Sequence, residues 1–477
     1  MSETILYCSG LDPETGEYAI PPCTPRELAS LARQTTVDEQ DARDLDFWLK
    51  TSGRGVLGDA RYLDKSGWGV IFAQSEPPEK LEALLLALKP LLDLRRQQAG
   101  GPPRYREYTG EDGYRPNDTK RTFYKRHKIV AGPAVPHRMP YYLLIVGGPD
   151  AIPYEFQYQL DVERAVGRIW FETLEEYERY ASSVVAAEKG LVPRCRRAAF
   201  FSPRNPDDDV SDVCVDRLAS PLAQWVEDNR ADWETYRVLG DDATKGRLAE
   251  LLGGDETPGF LFTASHGAVF KSSDDRVLPH QGALMCREWP GPSFKGRFPT
   301  DFYFAGEDLD LAGRLHGLVA FLWACYSAGG PAWSDFALGQ KVPVAPRPFL
   351  GQLPYGLLSH PQGSALAVIG HVELVWIWSA EWPGVGSHLL EFEEMLRMLF
   401  EGYPVGAAME PFGRRYAELA TELCQDLLDI QRDGREPDDE TTFRLCVCHD
   451  TRNYVVLGDP AVRLVPPEPP PPAEPRT

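Results

Sequence analysis

Two short segments carry the residues of this sequence best suited to nucleophilic chemistry. His266 and Gly267 follow the apolar run 259–264, and Cys325 follows the apolar run 318–324. A thiol attacks a carbonyl as its thiolate, so at neutral pH it needs a nearby base. Histidine changes charge near neutral pH and can return a proton to a leaving amine. The glycine lets the chain turn and leaves a backbone N–H within reach of an oxyanion.

Neither segment would indicate catalysis alone. A His-Gly pair after a strand usually forms a turn, and a cysteine at the end of an apolar run is usually a small buried hydrophobe. Their conjunction is more informative, because ligands and chemistry gather beyond the carboxyl ends of parallel strands. We therefore predict that His266 and Cys325 meet across the tips of two strands, the first as acid and base and the second as nucleophile.

The elements that must position this pair alternate between strand and helix. The predicted strands cover residues 68–73, 141–147, 165–170, 198–202, 235–239, 259–264, 318–324, 365–369 and 454–457. The predicted helices cover residues 79–98, 175–188, 216–229, 244–252, 388–400 and 414–430. This alternation predicts an α/β fold with a mostly parallel central sheet and covered faces.

The composition is that of an acidic globular protein. Of 477 residues, 43% are hydrophobic and 25% are charged, with a formal net charge of -21. That excess of negative charge argues against nucleic acid as a partner. The sequence offers no apolar run long enough to span a bilayer, no secretory signal, and no pairing pattern among its cysteines. We expect a cytoplasmic protein with no membrane partner.

Composition also divides the chain into four parts. The predicted parts are an irregular region at 1–65, an N-terminal α/β subdomain at 66–190 with a flexible basic loop near 100–140, a catalytic domain at 191–465, and a disordered Pro-rich tail at 466–477. Within the loop, the basic run 120–128 is interpreted as solvated chain, with a proteolytic processing site as the alternative.

Several further motifs extend the pattern beyond the two catalytic candidates. They are Thr-Ala-Ser-His-Gly at 263–267, Gly-Ala-Leu-Met-Cys at 282–286, Trp-Ala-Cys-Tyr-Ser-Ala-Gly-Gly at 323–330, the Gly-Ser to His-Val stretch at 363–372, Gly-Asp-Pro-Ala-Val-Arg-Leu at 458–464, and two upstream segments at 144–153 and 166–169. Together they resemble the bacterial caspase-like peptidases grouped as CHAT and gingipain-like proteins. In caspases, too, the histidine precedes the cysteine by about 50 residues.

The resemblance implies a caspase/gingipain-like sandwich with an additional N-terminal α/β subdomain, and a cysteine endopeptidase that cleaves proteins and peptides without cofactor or metal. It implies that His266 and Cys325 form the dyad, and that the N–H groups of Gly267 and Cys325 form the oxyanion hole. The residues before Cys325 lack the glutamine of true caspases, which argues against aspartate specificity.

The resemblance also implies regulation. Such an enzyme would stay latent until an upstream protease cuts residues 100–140 or 268–300, in a bacterial stress or defence pathway. A catalytically inactive scaffold, regulator or peptide-binding protein of the same fold is the alternative.

The substrate is expected along the sheet edge beside the cysteine, because extended peptides bind by adding a strand and placing alternate side chains in pockets. An aromatic run follows the predicted strand 365–369 and either lines those pockets or belongs to the core. Its tryptophans are Trp376, Trp378 and Trp382. A basic side chain at the cleavage position, which the relatives suggest, would need a buried carboxylate. The candidates, which the sequence does not separate, are Asp335, Glu373 and Glu381.

One cluster looks like a metal site and is discounted. Cys446 and Cys448, if they lie on a strand, share one face while His449 points away, and no second pair of ligands has suitable spacing. His371, at the end of a buried strand, is expected to support substrate or a loop.

Overall fold

A computed structural model describes Thr24 and residues 59–466, with gaps at 133, 255, 335, 337–340, 378–379, 383–385 and 435. The predictions for most of 1–65 and for the tail from residue 467 lie outside the described residues. By their contacts, residues 120–132 belong to one compact unit, and residues 59–119 and 134–466 to another. The candidate site lies wholly in the second unit.

The strands occur in the following order along the chain. They are β1 (Trp68–Phe72), β2 (Tyr105–Tyr108), β3 (Tyr142–Val146), β4 (Ala165–Ile169), β5 (Arg197–Pro203), β6 (Glu234–Gly240), β7 (Phe260–Ala264), β8 (Leu284–Met285), β9 (Tyr303–Phe304), β10 (Val319–Trp323), β11 (Gly329–Gly330), β12 (Phe349–Leu350), β13 (Ala367–His371), β14 (Glu381–Trp382), β15 (Gly386–Ser387) and β16 (Tyr454–Gly458).

The helices alternate with these strands. They are α1 (Leu63–Ser66), α2 (Pro78–Ala87), α3 (Lys89–Ala99), α4 (Lys120–Arg126), α5 (Tyr154–Asp161), α6 (Leu174–Glu188), α7 (Asp209–Val213), a π-helical turn (Cys214–Ala219), α8 (Ser220–Asn229), α9 (Lys245–Leu251), α10 (Val277–His280), α11 (Gln352–Leu358), α12 (Leu390–Phe400), α13 (Val405–Ala408), α14 (Glu410–Asp433) and α15 (Asp439–Arg452).

Ten of the described strands form one sheet, in the order β2-β1-β3-β4-β16-β13-β10-β7-β5-β6. All neighbours run parallel except β13 and β16, which pair antiparallel. The inner strands are buried along their length, except at the first residue of β5, and the edge strands β2 and β6 are partly exposed. Continuous apolar strands are what a sheet covered on both faces requires. The predicted α/β class with a mostly parallel sheet is confirmed.

The structure corrects three of the predictions made from the sequence. The predicted helix 79–98 is two helices, because Pro90 has no N–H to continue the hydrogen-bond ladder. The stretch near 100–140 contains β2 and α4 where the composition favoured a loop; the buried rings of Tyr105 and Tyr108 hold β2 in the sheet. The segment with Cys446 and Cys448 is part of helix α15, whose first turn is capped by a carboxylate, and not a strand.

A buried charge network joins the end of the central strand β16 to β1 and α3. Arg95 Nε lies 2.7 Å from Asp459 Oδ2, and both side chains are fully buried. Trp68 Nε1 donates to the other oxygen of Asp459 at 3.0 Å, as does the backbone N–H of Ala461. Glu188 lies 3.5 Å from the same guanidinium. The motif that follows β16 is thereby fixed against β1 and α3.

None of the helices in the described part of the chain has both the length and the hydropathy needed to cross a membrane.

Candidate active site

The ends of β7 and β10 bring the predicted pair together. These strands are parallel neighbours, and their last paired residues are Ala264 and Trp323. His266 and Cys325 each lie two residues beyond that pair, so they stand at the same level of the carboxyl edge, on strands about 4.8 Å apart. The N–H of Ser265 donates to Trp323 O at 3.1 Å and continues the pairing up to the histidine. The two residues predicted to meet therefore follow neighbouring strands at the same edge of the sheet.

The backbone of Gly267 packs directly against the cysteine. A Cβ at this position would lie 2.1 Å from Cys325 O and 2.9 Å from Cys325 N, which only a glycine avoids. The N–H of Gly267 also hydrogen-bonds the Cys325 sulfur and lowers its pKa. An amide this close to the thiol is suited to hold charge on an atom bonded to that sulfur.

The close approach gives a first prediction. Gly267→Ala should lower the free energy of unfolding by roughly 1–3 kcal/mol, because the new methyl forces the two strand ends apart. The matched control is Gly246→Ala in α9, where a Cβ would meet nothing within 4 Å. That variant should be neutral or slightly stabilising, since alanine favours helix more than glycine does. Urea denaturation of both variants measures the difference, and equal stabilities would contradict the packing described here.

The thiol of Cys325, a partly exposed residue, contacts a segment that follows β13. The N–H of Val375 donates to Cys325 Sγ at 3.3 Å, and the thiol faces Val375 O at 3.9 Å. Burial raises the pKa of the Cys325 thiol to about 11, and the charges of Asp450 and Glu373 add to the rise. Hydrogen bonds from Val375 and Gly267 offset only part of it. In this state the thiol is protonated at neutral pH.

The imidazole of His266 is oriented by a carboxylate that the sequence reasoning missed. His266 Nε2 lies 2.9 Å from Asp208 Oδ2, and the ring meets Trp289 edge to face at 5.4 Å. An ionised carboxylate only accepts hydrogen bonds, so the proton of the neutral ring is on Nε2 and Nδ1 is left as the base. About a third of the side chain (31%) is exposed, which leaves the ring accessible from one side.

Asp208 is itself fixed in place and charged. Its side chain caps α7 by accepting from the N–H of Ser211 at 3.1 Å. Burial acts to raise the pKa of Asp208, but the hydrogen bonds from His266 and Ser211 and the charge of His266 hold it below its ordinary value. A signal for this residue was present: Asp207, Asp208 and Asp209 follow the strand beside the one that leads to the histidine.

His371, Glu373 and Asp450 form a buried polar cluster near the thiol. His371 Nε2 donates to Asp450 O at 2.9 Å, and His371 Nδ1 accepts from the N–H of Glu373 at 3.3 Å. Burial lowers the pKa of His371 to about 4, so this ring is neutral at neutral pH. The carboxylate of Glu373 accepts from Tyr326 Oη, and that of Asp450 accepts from the N–H of Trp376 at 3.0 Å. His371 thus supports a loop, which the sequence allowed.

The predicted substrate residues are distributed unevenly around this cluster. Glu373 is fully buried, and Trp376 meets the ring of Phe336 edge to face at 5.8 Å. The backbone of Glu381 belongs to β14, but its side chain lies outside the described atoms, as do Asp335 and Trp378 entirely. A role in substrate binding stays a prediction for all five. The residues that the structure describes contain no cluster of metal-ligating side chains.

These features define an α/β protein whose parallel strands end in a thiol, an imidazole and a carboxylate. No family model and no curated protein matches the chain. Among solved structures it is similar to one described as "Structure of Protease", at 12% identity over 83% of this chain and 78% of that one, with a TM-score of 0.48.

Two further similar structures are of gingipains. The crystal structure of the Arg-specific cysteine proteinase gingipain R matches at 12% identity, 86% and 80% coverage and a TM-score of 0.47. The complex of the Porphyromonas gingivalis RgpB pro- and mature domains matches at 13% identity, 83% and 79% coverage and a TM-score of 0.47. These likenesses concern the course of the backbone, and the functional assignment below rests on the site alone.

Proposed function

We propose that this chain is a cysteine endopeptidase of the caspase-like kind, within the CHAT and gingipain-like group, with Cys325 as nucleophile and His266 as acid and base. The observation that carries the proposal is the equivalent position of the two residues, each two beyond the paired residues Ala264 and Trp323. A thiol and an imidazole that follow neighbouring strands at the carboxyl edge of a parallel sheet are the parts that acyl transfer needs.

The chemistry follows from the groups present. His266 Nδ1 takes the thiol proton, and the resulting thiolate attacks the carbonyl carbon of the scissile peptide bond. The oxyanion that forms is held by the N–H groups of Gly267 and Cys325. His266 then gives its proton to the departing amine, which leaves a thioester on the sulfur. A water molecule that His266 deprotonates hydrolyses the thioester and frees the second product and the thiol.

Proteins and peptides are the substrates of such a reaction, and a basic residue at the cleaved bond is part of the same proposal. Glu373 and Asp450 are fully buried carboxylates close enough to Cys325 to raise the pKa of its thiol. The test is to incubate the protein with a mixture of denatured proteins and to identify the new termini by mass spectrometry. Termini after lysine or arginine that are absent with Cys325→Ala support the proposal. An unchanged set of termini in the two samples contradicts it.

A second prediction concerns Asp208 as a positioning residue. Asp208→Asn keeps a side-chain oxygen to cap α7 but removes the charge that orients the imidazole. We expect kcat to fall about 10- to 100-fold with KM unchanged, the size seen when a supporting partner of a reactive group is lost. Steady-state kinetics on a fluorogenic peptide measure this, with the exposed neighbour Asp209→Asn as the control. A rise in KM at constant kcat would indicate a role in substrate binding instead.

The pH dependence of this carboxylate has a definite sign. Because the folded-state pKa of Asp208 is lowered, its stabilising contribution is complete above the ordinary carboxyl pKa of about 3.9. The contribution is lost as the pH falls through the lower folded-state value. Asp208 therefore stays ionised across the neutral range, and its effect on stability should disappear only in acid.

One observation favours a second candidate, a caspase-like protein without peptidase activity that acts as a scaffold or regulator. The protonated thiol in contact with Val375 is what an inactive protein would show, and it is also what a latent enzyme would show. Latency fits cleavage by an upstream protease within 268–300, where residues 292–300 are mostly exposed. A stress or defence pathway in a bacterium and a cytoplasmic setting are part of the same proposal.

A further inference from the structure

The segment of residues 373–377, here called the covering segment, contacts the thiol of Cys325 through backbone atoms. Val375 engages Cys325 Sγ through both of its polar backbone atoms, the N–H at 3.3 Å and the carbonyl oxygen at 3.9 Å. The reacting carbon of a substrate must come within about 3–3.5 Å of the sulfur. The nitrogen of Val375 already lies at that distance. One residue of the chain thus engages both the lone pair and the proton of the thiol.

The amino-terminal end of the covering segment is attached to the residue after the cysteine. The N–H of Tyr326 donates to Glu373 O at 3.0 Å, and the phenol of Tyr326 donates to the carboxylate of Glu373. That carboxylate also accepts from the N–H of Leu374 at 3.1 Å. Since Tyr326 and Glu373 are both buried, these bonds are shielded from water and stronger than exposed ones would be.

The carboxyl-terminal end of the segment is attached to helix α15. Asp450, fully buried, accepts from the N–H of Trp376 at 3.0 Å. His371 connects the two attachment points, because its Nε2 donates to Asp450 O and its Nδ1 accepts from the N–H of Glu373. Hydrogen bonds therefore fix the segment on both sides of Val375, and Val375 itself contacts the sulfur.

We propose that the covering segment is an autoinhibitory contact, which keeps Cys325 closed until Val375 moves away from the sulfur, and that Tyr326 and Asp450 are the residues that hold it shut. The proposal rests on the proposed function for the role of Cys325 as nucleophile. It differs from the two loops in which the sequence suggested an activating cut, because residues 373–377 lie in neither. Opening requires the loss of hydrogen bonds rather than of a peptide bond, so a bound partner or substrate can bring it about.

The test is the rate at which iodoacetamide alkylates Cys325 in the intact, full-length protein at pH 7.5, followed by intact mass and peptide mapping. In the wild type we expect alkylation at least about a hundredfold slower than that of a free cysteine, whose pKa is near 8.5. Tyr326→Phe removes one hydrogen bond from the covering segment and should raise the rate at least fivefold. Tyr142→Phe, which removes a tyrosine hydrogen bond to Ala60 O elsewhere, is the matched control and should react like the wild type.

Asp450→Ala removes the other attachment and should also accelerate alkylation, with circular dichroism to establish that the variant is folded. If wild-type Cys325 reacts as fast as a free thiol, or if folded Tyr326→Phe and Asp450→Ala both react at the wild-type rate, the proposal is overturned. The readout needs no proteolysis. Faster alkylation in a chain that cleaves nothing would support the autoinhibitory contact and contradict the peptidase, and cleavage with unchanged alkylation would do the reverse.

Discussion

Replacing Cys325 by alanine is expected to abolish cleavage, with a fall in kcat/KM of about 10⁴-fold or more. The sulfur is the atom that forms the bond to substrate in the proposed mechanism, and of the described cysteines only Cys325 directly follows β10, the strand beside the one that precedes His266. His266→Ala should cause a loss of similar size, because members of a catalytic unit are far from additive. The double variant should then be no worse than either single one.

The measurement is the rate of hydrolysis of a peptide identified from the mapped termini, under the conditions that give the highest wild-type rate. Cys195→Ala is the matched control, since Cys195 is an exposed cysteine remote from the strand tips, and it should retain full activity. Because Cys325→Ala removes only one sulfur atom, its melting temperature should stay close to that of the wild type. Cleavage that persists in a folded Cys325→Ala protein would exclude this residue as nucleophile.

The second large effect concerns stability. Asp459→Ala should lower the free energy of unfolding by roughly 3–5 kcal/mol, because it leaves the fully buried guanidinium of Arg95 without its nearest carboxylate. The indole N–H of Trp68 loses its acceptor at the same time. Burying a charge or a donor without a partner is among the most destabilising changes that a single substitution can make.

Urea denaturation monitored by tryptophan fluorescence measures this loss. The control is Asp93→Ala, which removes an exposed ion pair between Asp93 and Lys89 one helical turn apart. Such surface pairs contribute about 0–1 kcal/mol, so the control should unfold close to the wild type. If the two variants have the same stability, then the network around Asp459 contributes nothing beyond an exposed pair, contrary to its burial.

The sequence predicts the positions of His266 and Cys325 at strand ends, and most of the sheet, for one physical reason. A strand buried on both faces is a continuous apolar run, so its end can be located by the first polar residue that follows it. The run before His266 and the run before Cys325 both end in this way, and the two residues lie at the sheet edge as expected. The order of histidine before cysteine, as in caspases, then indicated which reaction the two residues could carry out.

The sequence could not predict contacts made by backbone atoms or by distant loops. Val375 touches the thiol through its amide and carbonyl groups, which every residue possesses, so its identity carries no signal. Asp208 stands among neighbouring aspartates, and only the cap on α7 selects which of them faces the imidazole. The sequence also could not predict that β16 runs antiparallel to β13, because a buried strand has the same composition whichever way it runs.

The position of β16 has a consequence for how the molecule is completed during synthesis. This strand is synthesised after β4 and β13, yet it pairs with β4 on one side and β13 on the other, at the centre of the sheet. Until residues 454–458 are made, the strands on either side present unpaired edges, which are prone to join other chains. A nascent or truncated copy that lacks β16 is thus two incomplete half-sheets, which become one continuous sheet only when β16 is inserted.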